Sequence, residues 1–288
     1  MTCRQSPVIV IGMHRSGTSL VARMLEGLGL FMGDIREYNE EAHFFLFRDR
    51  WLLSQCGASW EHPEGIRDLL ENAEVRALTV DYLDRYLLRS PRIISYLGWK
   101  QYLRYGSPFE LARPWGWKCP LSTYTLPIWM DLFPTAKVVH VYRHGVDVAN
   151  SLRQRALRTF AAAHRQGLYY KLPVLHALRP KTGGFMQGLR CATLEGGLSL
   201  WEEYFAVARG HVQRLGGHAL ELKYEDLIQA PTTGLKRLAE FCGLDVNEGR
   251  LLRVGAQVRK QRAYAYAGVP ELKLFAERVA DRLAAQNY

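Results

Sequence analysis

The sequence predicts an α/β fold built on a parallel sheet, and three segments of the chain support this prediction. Residues 7–11, 137–142 and 219–224 each have the character of a short strand, and a segment that can form a helix follows each of them. Strands that alternate with helices pair in parallel in such folds. Because the sequence shows neither an internal repeat nor a clear linker, we expect one domain over residues 1–288, with helical insertions near 50–115 and 155–200.

The first strand is predicted at Pro7 to Ile11, where β-branched residues form a continuous apolar run typical of a buried parallel strand. A turn with two glycines follows, and apolar residues then recur at helical spacing from Leu20 to Leu28. Gly29 is a suitable residue to end that helix. The N-terminal order is therefore strand, glycine-containing turn and amphipathic helix.

The two later strands are predicted at 137–142 and 219–224. The turn 143–145 follows the earlier strand and leads into a helix from Val146, while the later strand precedes a helix from Pro231 to Cys242 with Gly243 just beyond it. The segment from 34 to 115 is harder to interpret, although its pattern predicts a helix from Glu71 to Leu88. The sequence can again be interpreted from the stretch Trp115-Gly-Trp-Lys-Cys-Pro120 onward.

Composition limits the class of protein. Hydrophobic residues make up 48% and charged residues 23% of the chain, which excludes a mostly disordered polymer. The net charge of +10 favours partners that are anions: nucleotides, sulfated or phosphorylated substrates, nucleic acid or anionic lipid. The five cysteines form no C-x-x-C pair, and no apolar run approaches the roughly 18 residues of a membrane span. We therefore expect a cytoplasmic protein, with a removed targeting segment left open.

The glycine-containing turn is a candidate phosphate-binding loop. The first N–H groups of a helix lack partners within the helix and bind anions readily. Gly12 and Gly17 allow the chain to curl around such an anion, and Arg15 adds a full positive charge. The Gly-x4-Gly spacing is that of an ATP-binding P-loop, but Thr18 stands where that loop requires lysine.

This loop resembles one in a known family. His14-Arg-Ser-Gly-Thr-Ser19 is similar to the 5′-phosphosulfate loop of the sulfotransferases that use 3′-phosphoadenosine 5′-phosphosulfate (PAPS), with His14 in place of the usual proline. Their second signature, an arginine at a strand end and a serine eight residues later, resembles Arg143 and Ser151, with the usual aspartate present as Asp147. Gly145 replaces a proline in that turn.

Two further stretches are similar to the same family. Trp115–Pro120 resembles a Trp-Gly-x-Lys-x-Pro stretch of bacterial and carbohydrate-type members, and Tyr224–Leu227 resembles their Tyr-Glu-Asp-Leu segment. The resemblance covers about 7–33, 115–155 and 219–245. It implies a P-loop-like three-layer fold with a central parallel sheet flanked by helices. It also implies PAPS as the co-substrate, the bisphosphate PAP as the product, and no required metal.

The resemblance assigns roles to individual residues. The residues expected to bind PAPS are His14, Arg15, Ser16, Gly17, Thr18, Ser19, Arg143, Ser151, Arg155 and Tyr224. Arg15 is expected to act in catalysis by stabilising the leaving phosphate. The family's general base is a glutamate or histidine after the first helix; Glu37 is the first candidate, His43 the second, and the alternatives are Asp34, Glu40, Glu41 and His14. Lys118 can assist the leaving oxygens or form a structural salt bridge.

We therefore predict transfer of a sulfuryl group from PAPS to a hydroxyl, with an amine as second choice, on a carbohydrate or glycolipid. Two alternatives stay open at this point: a P-loop kinase or other ATP-using transferase, and a non-catalytic module that binds polyanions. The sequence lacks the loop lysine and the acidic magnesium ligand that a P-loop kinase requires. A module that only binds polyanions would not explain the presence of both loops. We expect no nucleic acid partner, while the oligomeric state is open.

A basic tract and a set of aromatic residues lie outside these motifs. No acidic residue lies between Asp147 and Glu195, and a solvated face, an acceptor or lid role and peripheral membrane contact are alternative explanations of this basic tract. Its cations are Arg153, Arg155, Arg158, Arg165, Lys171, Arg179, Lys181 and Arg190. The aromatic residues of the first insertion could stack on sugar rings, although we expect most of them in the core. They are Trp51, Trp60, Tyr82, Tyr86, Tyr96, Trp99, Tyr102 and Tyr105.

Overall fold

The computed structural model describes residues 6–178, 188–258 and 263–288 of the chain. Two compact units are present: one combines the chain up to Arg143 with Tyr204–Ala263, and the other combines His144–Glu203 with Tyr264–Tyr288. The strands are β1 Val8–Ile11, β2 Gly116–Lys118, β3 Lys137–Tyr142 and β4 Ala219–Lys223. The helices are α1 Thr18–Leu28, α2 His43–Ser54, α3 Ile66–Glu71, α4 Ala73–Tyr82, α5 Ile94–Tyr105, α6 Ser122–Leu132, α7 Gly145–Tyr170, α8 Pro173–Leu178, α9 Leu194–Leu215, α10 Tyr224–Gln229, α11 Pro231–Cys242, α12 Glu248–Gly255, α13 Pro270–Arg278 and α14 Ala280–Ala284.

The first unit contains the sheet, whose four strands are all parallel in the order β2-β1-β3-β4. The chain leaves β1 for β2 on one side and then returns to β3 on the other side. The carboxyl ends of β1 and β3 therefore flank a topological switch point, which is where open α/β sheets bind ligands. This arrangement places the loop after β1 and the end of β3 side by side.

Helices cover both faces of this sheet. Val8 and Val10 point to one face and join a buried apolar cluster with α1, α11 and α12. Ile9 points to the other face and is in register with Trp117 of β2. The Trp117 ring stacks on Phe45 of α2 at 3.9 Å and meets Trp129 of α6 edge-on at 5.4 Å. The result is three layers, as the resemblance implied.

The second unit is helical. It contains α7, α8, the first part of α9, α13 and α14. The Asp147 carboxylate, in the first turn of α7, accepts hydrogen bonds from the backbone N–H groups of Ala265 and Tyr266 at 3.2 and 2.8 Å. Arg153 of α7 also forms an ion pair with Glu271 of α13. Asp147 thereby fixes the start of α7 against the C-terminal segment.

The structure confirms the α/β class and most predicted elements. β1, β3 and α11 have the predicted bounds to within a residue, and Gly29 and Gly243 end their helices in the left-handed conformation. The third strand is one residue shorter than predicted, because Tyr224 begins α10. The single-domain organisation stays a prediction.

Two expectations for the region 50–115 and its border differ from the structure. The stretch Trp115–Pro120 was not predicted as a strand, yet it contains β2; a three-residue strand with one lysine shows no alternation. The expectation that most aromatic residues of this insertion lie in the core is wrong. Of the eight, Tyr96 alone is buried, Tyr86 and Trp99 are exposed, and the others are intermediate. Apart from Trp60, which lies outside any helix, the partly exposed rings lie on helix faces that neighbouring elements do not fully cover.

Candidate active site

The loop after β1 has the geometry of an anion-binding turn. Gly12 and Gly17 have φ of 134° and 99°, values that L-residues rarely adopt. Arg15 is also left-handed, with φ of 71°, and its residue is exposed to solvent. Helix α1 begins at Thr18, immediately after the loop. The backbone that begins α1 and the Arg15 residue thus lie at one turn, where a negative charge is stabilised.

Buried hydrogen bonds hold the loop in place. The Ser16 hydroxyl lies 2.7 Å from the Met13 carbonyl oxygen and 2.9 Å from that of Val141 in β3, and donates to them. The Gly12 N–H donates to the Thr123 hydroxyl in the first turn of α6 at 3.1 Å. The Ser16 N–H also donates to the Met13 carbonyl oxygen at 3.2 Å, so both donors of Ser16 serve to fix the loop.

The hydroxyls at the start of α1 face different surroundings. Ser19 donates its hydroxyl proton to the backbone carbonyl of Asn39 at 2.7 Å. Thr18 is buried. The segment 36–42, which contains several of the candidate bases, is consequently attached to the first turn of α1.

Tyr224 connects the loop to Arg143. A Cβ atom built on Gly17 would lie 2.3 Å from Cδ2 of the Tyr224 ring, so the ring packs directly on the Gly17 backbone. The Arg143 guanidinium lies over the same ring, with its Cζ 4.9 Å from the ring centroid. Tyr224 itself is buried. The structure therefore brings together three of the predicted PAPS-binding residues at the carboxyl ends of β1 and β3.

Lys118 forms a buried ion pair at the carboxyl end of β2. Its Nζ donates to Oε1 of Glu41 at 2.6 Å, and both side chains are buried. Burial lowers the pKa of Lys118, and the Glu41 carboxylate opposes this shift. Lys118 is in register with Val10, two residues before the loop. Of the two roles open to Lys118 from the sequence, the salt bridge is the one observed.

The remaining candidate bases lie in different environments. Glu40 pairs with Arg36 at 3.0 Å and with Arg23 at 3.5 Å. Glu37 is exposed and has no ion pair with any residue of the described segments. His43 begins α2, and its ring lies 4.3 Å from that of Phe47.

Asp34 is the last of these carboxylates. Its side chain packs beside Gly98, where an added Cβ would lie 2.8 Å from Cγ of Asp34. Of the four carboxylates between 34 and 41, two are thus committed to cations, while Glu37 and Asp34 are exposed.

His14 opens an aromatic cluster beside the loop. Its ring lies edge-on to Trp60 at 5.3 Å and to Tyr204 at 6.3 Å. The Tyr204 hydroxyl donates to the Trp60 carbonyl oxygen at 2.9 Å, and the Tyr204 ring meets Tyr124 edge-on at 4.8 Å. Because Tyr204 and Tyr124 are buried, the cluster packs against the loop from the interior, and His14 and Trp60 are its partly exposed members.

Ser151 and Arg155 belong to the second unit, where both lie on α7. Residues four apart lie on one helical face, as predicted from the sequence. Arg155 is exposed and Ser151 is intermediate. In the basic tract, Arg153 and Arg190 pair with Glu271 and Glu203, while Arg179 and Lys181 lie outside the described residues.

Sequence reasoning missed several residues that shape the site. Thr123 holds the Gly12 amide, His211 donates from Nε2 to the Thr123 carbonyl at 2.9 Å, and Tyr204 orients Trp60. No local motif marks them, since each contacts the site across more than 80 residues of sequence. Only the neighbouring Trp115–Pro120 resemblance pointed to this region.

The described segments contain neither a membrane-spanning helix nor a metal-binding cluster. No helix there is long and apolar enough to cross a bilayer. No group of three or more His, Cys, Asp or Glu side chains there is arranged to hold a metal ion.

The fold and the loop define a P-loop-like α/β protein with an anion-binding type of turn at the switch point of its sheet. The sequence model of the sulfotransferase family matches residues 7–248, and the chain therefore belongs to the sulfotransferase family. A search of curated protein sequences gives no match.

Several solved structures are similar to this chain, and the first of those named below has a similar fold. A "Sulfotransferase Domain from the Curacin Biosynthetic Pathway" matches with a TM-score of 0.52 at 16% identity, covering 96% of this chain and 98% of that one. A sulfotransferase from Alicyclobacillus acidocaldarius matches at 0.49 and 15% identity, covering 99% and 93%. The sulfotransferase domain of the Synechococcus PCC 7002 olefin synthase matches at 0.45 and 20% identity, covering 89% and 82%.

Family membership identifies the chain as a PAPS-dependent sulfotransferase, with PAPS as its co-substrate. The donor groups at the loop fit this ligand, because guanidinium and first-turn amides are the groups that bind phosphate and sulfate oxygens. Sulfuryl transfer, rather than ATP chemistry or passive polyanion binding, is the activity that the family supports.

Proposed function

We propose that the chain transfers the sulfuryl group of PAPS to a hydroxyl of a carbohydrate or glycolipid. The observation that carries this proposal is the Tyr224 ring packed between Gly17 of the loop and the Arg143 guanidinium. It joins the loop proposed for the 5′-phosphosulfate to the arginine proposed for the 3′-phosphate. PAPS supplies an activated sulfuryl group on its 5′-phosphate.

Arg15 and the first-turn amides of α1 stabilise the negative charge that develops on the leaving 5′-phosphate. The donor groups are held before reaction by the loop contacts of Ser16 and Gly12, so they need little reorganisation. A new S–O bond forms to the acceptor oxygen while the bond between sulfur and the 5′-phosphate oxygen breaks, in line. PAP is the second product.

The acceptor hydroxyl must lose its proton, and we propose Glu37 as the group that takes it, with His43 as the second candidate. Glu40 and Glu41 are committed to cations, whereas Glu37 is exposed. Its segment is attached to the start of α1 through Ser19 and Asn39. Replacement of Glu37 by glutamine should lower turnover about 100-fold and leave PAP affinity unchanged. Equal activity of Glu37→Gln, together with a loss in His43→Asn, would transfer the role to His43.

The acceptor side is proposed at His14 and Trp60. An aromatic face suits the apolar face of a sugar ring, and the Tyr204 hydroxyl fixes the Trp60 backbone. Sulfated products should therefore form in a panel of nitrophenyl glycosides and glycolipids with labelled PAPS. Trp60→Ala should raise the acceptor KM about tenfold while Trp60→Phe restores it. An unchanged KM in Trp60→Ala would remove this residue from the acceptor site.

The nucleotide assignment is tested by thermal shift with PAP, with 5′-AMP and with ATP plus magnesium. PAP carries the 3′-phosphate that AMP lacks, so a large shift with PAP alone is expected. Arg143→Ala and Ser151→Ala should each weaken PAP binding at least about tenfold, because each removes a proposed 3′-phosphate contact. Unchanged PAP affinity in both variants would overturn that assignment, and a shift with ATP alone would favour the kinase.

Arg155 is the last residue of the proposed PAPS-binding site. Arg155 lies one turn beyond Ser151 on α7 and adds a charge near that serine. Arg155→Ala should weaken PAP binding less than Arg143→Ala does, because Arg155 is exposed. An effect as large as that of Arg143→Ala would show that Arg155 is a main phosphate ligand.

A further inference from the structure

The C-terminal half of α5 exposes two large apolar side chains. Gly98, with φ of 72° and ψ of 160°, interrupts the helix, so that 99–105 forms a separate two-turn segment. Trp99 is 67% exposed and Leu103 is 79% exposed. Four residues apart, they lie on the same helical face. Lys100 and Arg104, also four apart and exposed, flank that face.

The neighbouring segment 34–38 continues this exposed surface. The Ile35 N–H donates to the Ser95 carbonyl oxygen at 3.2 Å, which places Ile35 beside the start of α5. Ile35 is exposed, and Tyr38 is 97% exposed. We name the side chains of Ile35, Tyr38, Trp99, Lys100, Leu103 and Arg104 the α5 surface.

The cations in this part of the unit are not neutralised. Among the described residues, no carboxylate forms an ion pair with Arg48, Arg50, Arg92, Lys100 or Arg104. Other arginines of the same unit, such as Arg36, Arg76 and Arg89, are paired. The segment 34–38 also exposes the carboxylates of Asp34 and Glu37, but these five cations outnumber them, so this part of the unit combines exposed apolar side chains with a net positive charge.

We propose that the α5 surface binds the surface of a bilayer that contains anionic lipids. Tryptophan, tyrosine and leucine are stabilised at the level of the lipid headgroups, where their apolar parts leave water. Lysine and arginine beside them are attracted by anionic headgroups. A polyanion in solution would satisfy the cations but would leave Trp99 and Leu103 in water, so the combination favours a bilayer.

The position of the α5 surface relates it to the proposed active site. The same segment that contributes Ile35 and Tyr38 continues to Asn39, whose carbonyl accepts the Ser19 hydroxyl at the start of α1. A bilayer bound here would lie near the entrance to the loop, where a glycolipid could present its hydroxyl. This link to a glycolipid rests on the proposed function, whereas bilayer binding itself does not.

The test is co-sedimentation with vesicles of phosphatidylcholine, with and without phosphatidylglycerol. The intact chain should bind the anionic vesicles at least about tenfold more tightly than the neutral ones, and Trp99→Ser/Leu103→Ser should remove most of this binding. The matched control is Leu274→Ser, because Leu274 of α13 is 67% exposed in the other unit. The control should bind like the intact chain.

Three results would overturn the proposal: no preference of the intact chain for anionic vesicles, equal binding by the double variant, or equal loss in the control. Sedimentation velocity gives a fourth, since a dimer that the double variant converts to monomer would make this surface a self-association site. The PAP thermal shift of each variant reports folding and nucleotide binding separately. Failure of the membrane proposal is thereby distinguished from failure of the proposed function.

Discussion

The Tyr224 ring packs against the backbone of Gly17 so closely that a β-carbon at position 17 would lie 2.3 Å from Cδ2 of the ring. The Arg143 guanidinium lies over the same ring. A single side chain at the start of α10 therefore positions the loop after β1 relative to Arg143, the residue that follows β3. This contact explains why position 17 requires glycine for space as well as for its φ of 99°.

Gly17→Ala should weaken PAP binding and lower stability by about 2–4 kcal/mol, because it adds a clash to an unfavourable backbone conformation. The clash disappears when the ring is removed, whereas the backbone strain does not. A double-mutant cycle with Tyr224→Ala should therefore show coupling of about 1 kcal/mol or more in urea unfolding. Strictly additive changes would contradict the packing role of Tyr224.

Arg15→Ala should lower turnover about 100-fold or more while changing PAP affinity little, because its interaction strengthens as charge develops on the leaving group. Arg15→Gly is the matched control, since glycine adopts the φ of 71° at that position without strain. The glycine variant should be equally inactive but about 1 kcal/mol more stable than the alanine variant. Comparable losses in PAP affinity and turnover would show that Arg15 acts by ground-state binding.

Breaking the buried Lys118–Glu41 pair should be costly. Lys118→Met and Glu41→Gln should each lower the free energy of unfolding by about 3–5 kcal/mol, because each leaves a buried polar or charged partner without its counterpart. The double variant should recover at least half of that loss. Urea unfolding of the intact chain, the two single variants and the double variant measures these free energies. A loss in the double variant equal to the sum of the two single losses would refute a mainly structural role for the pair.

Stability should fall in mild acid because of His211. Its Nε2 donates to the Thr123 carbonyl, and Nδ1 accepts from Arg214 at 2.7 Å. Burial lowers the pKa of His211 to about 4, and the charge of Arg214 adds to the effect against the opposing Thr123 hydrogen bond. The unfolded chain takes up this proton near pH 6.5, so stability falls as the pH drops from about 6.5 to 4.

His211→Gln should flatten this dependence by about 2 kcal/mol between pH 7 and 5. Burial also lowers the pKa of His140, which remains in both proteins, so the comparison measures His211 together with its charge interaction with His140. Chemical unfolding at the two pH values measures the difference. Identical pH dependence in the two proteins would show that His211 titrates normally.

The local parts of the fold could be predicted from the sequence. β1, its loop and α1 are encoded within residues 7–29, where strand composition, glycine positions and helical spacing agree. The end of β3 at Tyr142, just before Arg143, could be predicted for the same reason. These elements also contain most of the proposed PAPS-binding residues.

The long-range contacts of the site could not be predicted in this way. Glu41 was one of several acidic residues in its segment, and nothing local indicates that Lys118, in a strand too short to show alternation, is its partner. Likewise, Tyr224 could equally contact the nucleotide or pack at a strand end from the sequence alone. The ring contact with Gly17 is a property of the assembled sheet.

The hydrogen bond from the Gly12 amide to the Thr123 hydroxyl has a consequence for local opening of the protein. This amide is buried, and its acceptor lies on α6 rather than within the loop. Its proton can therefore exchange with deuterium only when the loop and α6 separate. The exchange rate at this one amide reports how often the loop after β1 loosens, and a ligand that rigidifies the loop should slow it.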